Sequence, residues 1–550
     1  MRPLDCAIQW LARTIAAVVC AASAAAAQAA PAAPRLIVAI SVDQFSADLF
    51  AMYRPLYTAG LRRLSGGAVF PSGYQSHAAT ETCPGHSTIL TGAHPARTGI
   101  IANEWIDQGV ERADKQVYCA EDPRVAGSSS SHYSVSAVNL KVPTLGDRLK
   151  NQDPRSRVVA VAGKDRAAVM MGGHLIDDAW FWDGHSYVTL PLAAHATPPI
   201  VAAVNERVAL AIAHPVPPAL PAACRSRSVP VAVGDHAVGT LQRRAAGDFK
   251  AFRTSLEFDR ATTDIAIELI RTMRLGQGQA IDLIAIGLSA TDYVGHTFGT
   301  DGAEMCAQVL GVDQNVGRIL AALDAGETPY VLVLTADHGG LDLPERNRLR
   351  GFGSAARADE ALDADRIGKA IAAEFGLPES ALLGTGYFGD IYLSRQIPAD
   401  LKGKVLARAR ALYQAQPQVA GVYSAAELGA VPAPSGPASE WSLPERLHAS
   451  FDATRSGDLL VAPVPYVTML PLSSGYVAHH GSPWNYDRRV PILFYWPGMA
   501  GFEQVLPVET VDILPTLAAL IGLTVPSAQI DGRCLDLDPG PADTCVHGAP

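Results

Sequence analysis

Acidic and imidazole side chains follow several buried strands predicted for this chain. Short apolar, β-branched runs such as RLIVAISV, IDLIAIGL and YVLVLT are typical of buried strands, and each is followed within a few residues by Asp or His. A further imidazole source, the doublet His479-His480, precedes the apolar run VPILFYW. The candidate metal ligands are Asp43, Asp292, His296, Asp337, His338 and one of His479 and His480.

This set of side chains suits zinc, which prefers imidazole and carboxylate ligands. A catalytic zinc ion takes about four ligands and keeps a position open, so six protein ligands are too many for one ion. Two ions roughly 3.5–4 Å apart can stabilise the attacking and the leaving oxygen of an in-line phosphoryl displacement. The ligand count therefore predicts a two-zinc site for phosphoryl chemistry.

A nucleophile is expected in HAATETCPGHSTILTG, residues 77–92, which carries five hydroxyl side chains. Pro84 suits the first turn of a helix, so a helix is predicted to begin near Thr82. The N–H groups at such a helix start can bind an anion. Thr88 and Thr91 are expected inside or beyond the helix, whereas the local pattern does not separate Thr82 from Thr80.

The order of elements predicts the fold. Apolar strands alternate with amphipathic stretches, such as residues 261–276 and 305–326, which indicates an α/β protein with a mostly parallel central sheet and helices on both faces. Ligands bind beyond the carboxyl ends of such strands. Lys164 and Arg166 follow the run SRVVAVAG and are expected at the same edge. Two poorly patterned regions, about 170–250 and 355–470, are predicted to be insertions over the active site.

Composition and the N-terminus bear on location and partners. The chain has 550 residues and a formal net charge of −10, which argues against nucleic acid as the main partner. Residues 1–29 resemble a secretory signal peptide, and no later run is long enough to span a bilayer. We therefore expect a soluble, exported protein, periplasmic or extracellular, in which residues 30–550 form the catalytic domain.

Export permits disulfides. Six cysteines remain after the signal segment, and Cys534 with Cys545 is the first pairing hypothesis because only eleven positions separate them. Cys83 with Cys119 and Cys224 with Cys306 are the hypotheses for the other four.

Taken together, the motifs TCPGH, GKDR and HHGSPWNYDRRVP resemble those of the alkaline phosphatase superfamily, in particular its single-chain, phosphate-irrepressible members with a threonine nucleophile. The resemblance implies Thr82 as nucleophile and zinc ligand, and Asn103, Lys164 and Arg166 as phosphoryl-binding residues. It also implies two zinc sites, selecting His480 from the doublet. The implied ligand sets are Asp292, His296 and His480 for one ion and Asp43, Thr82, Asp337 and His338 for the other.

The function implied is hydrolysis of phosphate monoesters through a covalent phosphothreonine, with two Zn²⁺ ions. The sequence has no clear further acidic cluster for a magnesium ion, so we expect two zinc ions without magnesium, and a monomer. The alternative on the same scaffold is a nucleotide pyrophosphatase/phosphodiesterase, whose family pattern lacks the Lys164/Arg166 pair. A non-catalytic zinc- or phosphate-binding protein would not need a threonine at a helix start between two metal sites. A sulfatase is excluded, because Ser87 stands where its C/S-x-P-x-R motif requires arginine.

Overall fold

The computed structural model describes residues 33–190 and 197–545; the predicted signal peptide lies outside the described residues. The strands are β1 Leu36–Val42, β2 Ala68–Tyr74, β3 Glu104–Ile106, β4 Gln116–Tyr118, β5 Val158–Ala162, β6 Asp178–Trp182, β7 Tyr187–Thr189, β8 Val231–Val233, β9 His236–Val238, β10 Asp282–Leu288, β11 Tyr330–Thr335, β12 Ala356–Arg357, β13 Leu382–Gly384, β14 Gly389–Leu393, β15 Val419–Ser424, β16 Leu459–Pro463, β17 Val467–Thr468, β18 Arg489–Tyr495, β19 Phe502–Glu503 and β20 Val508–Glu509.

The α-helices of the described residues are Ala47–Tyr53, Gly60–Leu64, Thr82–Ile89, Pro95–Thr98, Leu145–Gln152, Asp165–Gly172, Pro199–Ala213, Phe249–Phe252, Leu256–Thr272, Ala290–Phe298, Ala303–Ala325, Pro344–Leu349, Ala364–Phe375, Ala399–Gln414, Ala425–Gly429, Leu443–His448, Asn485–Arg488 and Ile513–Leu520. Within the part of the chain that is described, no helix combines the length and the apolar character that crossing a membrane requires.

A central sheet in the order β19-β2-β18-β11-β1-β10-β5-β6-β7, with β20 beside β2, carries the fold. The strands from β11 to β6 run parallel, while β18 and β7 are antiparallel to their neighbours. Ile37 of β1 lies opposite both Leu283 of β10 and Val331 of β11, so these three strands are in register and end at one edge. The predicted mostly parallel α/β sheet is confirmed.

Both faces of the sheet are buried. Successive side chains of a strand point to opposite faces, so the side chains of β1 show what covers each face. Val38 and Ile40 of β1 pack into one hydrophobic core, and Ile37 and Ala39 pack into another. The same alternation explains why β1 is apolar throughout, as strands covered on both faces are.

The two regions predicted as insertions differ from one another. Region 170–250 contributes β6 and β7 to the central sheet, so the part of it that lies outside the sheet is shorter than expected. Region 355–470 contains a separate four-stranded sheet, β13-β14-β16-β15, with its own hydrophobic core. The structure also contains the three hypothesised disulfides, Cys83–Cys119, Cys224–Cys306 and Cys534–Cys545, which confirms those pairings.

Candidate active site

The ends of the parallel strands bring the candidate side chains together. Asp43 directly follows β1, Lys164 lies two residues beyond β5, and Asp337 lies two residues beyond β11. Asp292 is on the helix Ala290–Phe298, which begins two residues after β10. All four side chains are buried, although all four are ionisable. Such burial is rare without compensating partners, and it marks this edge as the candidate active site.

The helix that carries Thr82 approaches this edge closely. It spans Thr82–Ile89 and is buried along its whole length. Thr82 is its first residue and Glu81 its N-cap, so the helix begins at the position predicted from the sequence. A Cβ atom on Gly85 would lie only 1.9 Å from the backbone oxygen of Asp337. Glycine in TCPGH therefore permits the contact between this helix and the end of β11.

A first cluster contains Asp292, His296 and His480. The Nε2 atom of His296 lies 3.3 Å from Asp292 Oδ1, and that of His480 lies 3.2 Å from the same oxygen. The two Nε2 atoms are 3.2 Å apart. Asp292 and His296 share one face of their helix because they are four residues apart. His480 reaches them from a segment almost two hundred residues away.

A second cluster contains Asp43, Asp337 and His338, with His86 beside it. His338 Nε2 lies 3.2 Å from Asp337 Oδ2 and 3.6 Å from Asp43 Oδ1. The rings of His338 and His480 stack with centroids 3.7 Å apart, so the two clusters adjoin. Two sets of three residues place their potential ligand atoms within 4.8 Å of one another: Asp292/His338/His480 and Asp43/Asp337/His338. His338 thus lies between the clusters, and His296 adjoins the first of these sets.

The imidazole rings of both clusters direct their Nε2 atoms toward one another and toward the carboxylates. The Nδ1 atoms of His296, His338 and His480 lie 3.0, 2.9 and 2.8 Å from backbone oxygens, to which they donate their protons. Burial, and then the neighbouring His338, lowers the pKa of His480 to about 3, and burial lowers the pKa of His338. Both rings are therefore neutral, and their Nε2 atoms carry lone pairs instead of protons.

This arrangement fits a bound cation. Asp43 Oδ1, Asp292 Oδ1, Asp337 Oδ2 and His338 Nε2 are buried and, within the described residues, have no hydrogen-bond partner. Acceptors that face one another without protons repel, and buried polar groups without partners cost free energy. A metal ion removes both costs, and imidazoles whose Nδ1–H is held by a carbonyl are oriented as metal ligands usually are. The Asp and His residues of both clusters can therefore hold metal.

Lys164 lies between the two clusters. Its Nζ atom is 2.6 Å from Asp43 Oδ2 and 2.6 Å from Asp292 Oδ2, and it donates to Thr82 Oγ1 at 3.3 Å. Burial alone would lower the pKa of Lys164, but the carboxylates of Asp292 and Asp43 outweigh it and raise that pKa. Burial and the carboxylate of Asp337 raise the pKa of Asp43, with Lys164 opposing them. One ammonium thus does not balance the surrounding carboxylates.

Asn103 lies next to Thr82 and is oriented by its neighbours. Its Oδ1 atom accepts a hydrogen bond from the backbone N–H of Cys83 at 2.8 Å, which leaves the two N–H groups of its amide as donors. Its own backbone N–H donates to Glu81 Oε2 at 2.7 Å. The residue is therefore held on both sides by the start of the Thr82 helix.

Arg166 belongs to a small polar network at the start of the helix Asp165–Gly172. Its guanidinium donates to the hydroxyl of Tyr118 at 3.2 Å. That hydroxyl donates to Asp165 Oδ1 at 2.7 Å, and the hydroxyl of Tyr133 donates to Asp165 Oδ2 at 2.9 Å. Asp165 is thereby engaged by both tyrosines and by the backbone N–H of Arg166, while the hydroxyl of Tyr118 orients the Arg166 guanidinium.

Several neighbours of the site were not identified from the sequence. His86 Nδ1 lies 2.8 Å from the backbone oxygen of Thr82 and 3.2 Å from Asp337 Oδ2. Its position four residues after Thr82, on the same helical face, was a usable signal. No local pattern indicates that Glu81 holds Asn103 or that Tyr118 holds Arg166, because those contacts join separate segments.

The fold and the site define a metal-capable α/β protein with a mostly parallel central sheet. The described architecture is similar to the crystal structure of wild-type alkaline phosphatase PafA, with a TM-score of 0.79, 24% identity and coverage of 94% of this chain and all of that one. Murine ectonucleotide pyrophosphatase/phosphodiesterase 5 shares the fold more distantly, with a TM-score of 0.51 and 14% identity over 90% of this chain and 97% of that one.

Residues 37–470 match the family "Type I phosphodiesterase / nucleotide pyrophosphatase", and the chain belongs to that family. It is 53% identical over 519 residues to alkaline phosphatase PhoK of Sphingomonas sp., covering 93% of both chains. It is 51% identical over 518 residues to alkaline phosphatase PhoD of Zymomonas mobilis, covering 93% of this chain and 89% of that one. The resemblance stated from the motifs is confirmed.

Proposed function

We propose that this chain is an exported, zinc-dependent alkaline phosphatase that hydrolyses phosphate monoesters through a covalent phosphothreonine on Thr82. The observation that carries the proposal is the contact of Lys164 Nζ with Thr82 Oγ1 at 3.3 Å. A phosphoryl group bound at Thr82 meets a buried ammonium, and the extra charge of a monoester dianion makes that contact more favourable than it is for a diester. The names of the relatives PhoK and PhoD support the same activity.

Two zinc ions are proposed for the two clusters. Asp292, His296 and His480 would hold one ion, and Asp43, Asp337, His338 and the Thr82 hydroxyl would hold the other. When bound, the ions would supply Lewis-acid stabilisation of the attacking and the leaving oxygen. They would also neutralise Asp43 and Asp292, so that the ammonium of Lys164, now bound to both carboxylates, becomes available to a phosphoryl oxygen.

The protein groups have separate tasks in the proposed reaction. Thr82 Oγ1 gives up its proton to solvent and attacks phosphorus, while the bond from phosphorus to the leaving oxygen breaks and that oxygen takes up a proton from solvent. Water then attacks phosphorus and the bond from phosphorus to Oγ1 breaks, which releases inorganic phosphate and restores the Thr82 hydroxyl. The free N–H groups of the Asn103 amide donate to one phosphoryl oxygen. The guanidinium of Arg166 donates two hydrogen bonds to oxygens of the same phosphoryl group. Since these donors are oriented before substrate binds, they need little reorganisation as the transition state forms.

Export and a monomeric state are part of the proposal. The three disulfides support an oxidising compartment, the periplasm or the exterior. A leader that is removed on export would shorten the purified protein by the predicted 29 residues, and N-terminal sequencing tests this. Light scattering tests the monomer.

The alternative function is that of a nucleotide pyrophosphatase/phosphodiesterase, which is compatible with the family and with the shared fold. Hydrolysis of p-nitrophenyl phosphate and of bis-p-nitrophenyl phosphate by the zinc-loaded protein discriminates the two. We expect the monoester to be preferred, and the Lys164→Ala/Arg166→Ala variant to lose about 100-fold or more in kcat/KM for the monoester, since each charged hydrogen bond contributes about 1.5–3 kcal/mol. For the diester we expect a much smaller loss.

A matched control is Arg366→Ala/Lys404→Ala, which removes the same two charges from exposed positions. It should retain both activities. A preference for the diester that the Lys164/Arg166 variant leaves unchanged would refute the phosphomonoesterase proposal and favour the phosphodiesterase.

A further inference from the structure

A cavity of about 630 Å³ opens beside the phosphoryl-binding cations. Lys164, Arg166 and Tyr293 form one part of its lining, and Arg253 and Trp182 form another. Because Lys164 and Arg166 line it, the cavity adjoins the candidate active site. Its volume is that of a site for a small molecule, and it is large enough for more than a phosphoryl group.

Arg253 is the cation of this cavity that the proposed mechanism does not use. It follows the helix Phe249–Phe252, is half-buried, and stacks its guanidinium on Tyr293, with Cζ 4.3 Å from the ring centroid. Lys164 Nζ lies 5.1 Å from the same centroid. Because both distances are measured from the Tyr293 ring centroid, Arg253 Cζ and Lys164 Nζ are at most about 9.4 Å apart. One small substrate can contact both.

The guanidinium of Arg253 has no acidic partner in the described part of the chain: no carboxylate oxygen lies within 4.0 Å of it, and its one hydrogen bond is a long one, from Nε to the backbone oxygen of Lys250 at 3.4 Å. The acids of the cavity are engaged elsewhere. Asp165 accepts from the hydroxyls of Tyr118 and Tyr133. Asp183, exposed at the rim, accepts from two backbone N–H groups.

We infer that this cavity receives the leaving group of the substrate and that Arg253 binds a second anionic group on it. This inference rests on the proposed phosphomonoesterase function and specifies its substrate class: small monoesters whose leaving group carries a phosphate or carboxylate. Such a ligand places one anion at Thr82 and Lys164 and the other at Arg253. The contact of its guanidinium with the Tyr293 ring holds Arg253 near Lys164.

The test compares propyl phosphate, its terminally carboxylated analogue and propanediol bisphosphate, with release of inorganic phosphate as the readout. In the wild-type protein the second anion should raise kcat/KM, mainly through a lower KM, because its contact with Arg253 does not change during the reaction. Comparison of the two charged analogues shows whether phosphate or carboxylate fits better. The kcat/KM of the bisphosphate is divided by two, because that substrate carries two equivalent phosphate ester groups.

Arg253→Ala should lower the ratio of charged to uncharged substrate about tenfold or more, which is the effect of losing one charged hydrogen bond. Arg253→Lys keeps the charge and should restore part of the ratio, and it also supplies the measurement if the alanine variant does not fold. Arg260→Ala removes an exposed arginine seven residues away and should leave the ratio within about twofold. Higher salt should reduce the wild-type ratio.

An unchanged ratio in an active Arg253→Ala protein, or an equal loss for all three substrates, would overturn the inference and leave the phosphomonoesterase proposal intact. Absence of propyl phosphate hydrolysis by the zinc-loaded wild-type protein would instead overturn the proposed function.

Discussion

The disulfide Cys83–Cys119 is expected to stabilise the protein and also to support the geometry of the candidate active site. Cys83 directly follows Thr82, and its N–H donates to the Asn103 side chain. Cys119 N–H donates to the backbone oxygen of Asn103 at 2.9 Å. Asn103 is thus held between the two half-cystines. The perturbation is Cys83→Ala/Cys119→Ala, which removes the covalent link and leaves these backbone donors in the chain.

The stability change follows from the length of chain that each bridge closes. The cysteines of Cys83–Cys119 are 36 positions apart, and those of Cys534–Cys545 are 11 apart. In the chain-entropy description these separations correspond to about 3.8 and about 2.8 kcal/mol. Cys534→Ala/Cys545→Ala is therefore a matched control, which loses a disulfide of similar energy from the C-terminal segment.

The assay combines urea unfolding with monoester hydrolysis under conditions in which each variant is folded. We expect free energies of unfolding to fall by about 4 and about 3 kcal/mol for the two variants. We expect kcat to fall about tenfold in Cys83→Ala/Cys119→Ala, the effect of one misplaced hydrogen-bond donor, and to stay within twofold in the control. Wild-type kcat in the first variant would refute the positioning argument, and a larger stability loss in the control would refute the loop-length argument.

Three other outcomes follow from the structure. Dialysis against a chelator should abolish monoester hydrolysis, and zinc at a thousand times its Kd should restore it. Each bound ion should add about 4 kcal/mol to the free energy of unfolding, so two ions should add about 8 kcal/mol; full activity without metal would contradict the two-cluster assignment. Glu81→Ala should lower kcat about tenfold by releasing the Asn103 backbone, whereas an unchanged kcat would show that the Glu81 contact is dispensable. Asp147 raises the pKa of His174, whose two ring nitrogens both face acceptors, Asp147 Oδ2 at 3.1 Å and the Leu140 oxygen at 2.9 Å. The stabilisation of the folded protein by protonated His174 is fully present below the unfolded pKa of about 6.5 and is lost as pH rises through the higher folded pKa. His174→Ala should therefore lower the free energy of unfolding by about 0.5 kcal/mol more near pH 6 than near pH 9, and a loss that does not depend on pH would contradict the ion pair.

The part of the site that depends on topology was predictable from the sequence. Asp43, Asp292 and Asp337 follow parallel strands, and the carboxyl ends of such strands meet at one edge regardless of the loops between them. The pairing of Asp292 with His296 was also accessible, because residues four apart share a face of a helix. These rules apply within one element or one sheet, and they need no knowledge of distant side chains.

Contacts that join separate segments were not predictable in this way. The two rings of His479 and His480 are adjacent in the chain, yet only His480 Nε2 lies 3.2 Å from Asp292 Oδ1, whereas His479 Nδ1 lies 2.6 Å from the backbone oxygen of His480. The direction in which each ring points depends on the backbone around Gly481, whose φ of +106° is accessible to glycine. Local sequence does not fix that path.

The position of Lys164 links metal binding to substrate binding in the proposed enzyme. In the described site its ammonium contacts Asp43 and Asp292, one carboxylate from each cluster, and it reaches Thr82 at a longer distance. A carboxylate that binds a metal ion attracts the ammonium less, because its charge is already neutralised. Filling both clusters would therefore release Lys164 from its contacts with Asp43 and Asp292, and its ammonium would then be available to the phosphoryl group. Since such coupling is reciprocal, a bound phosphoryl group that engages Lys164 should in turn favour metal in both clusters.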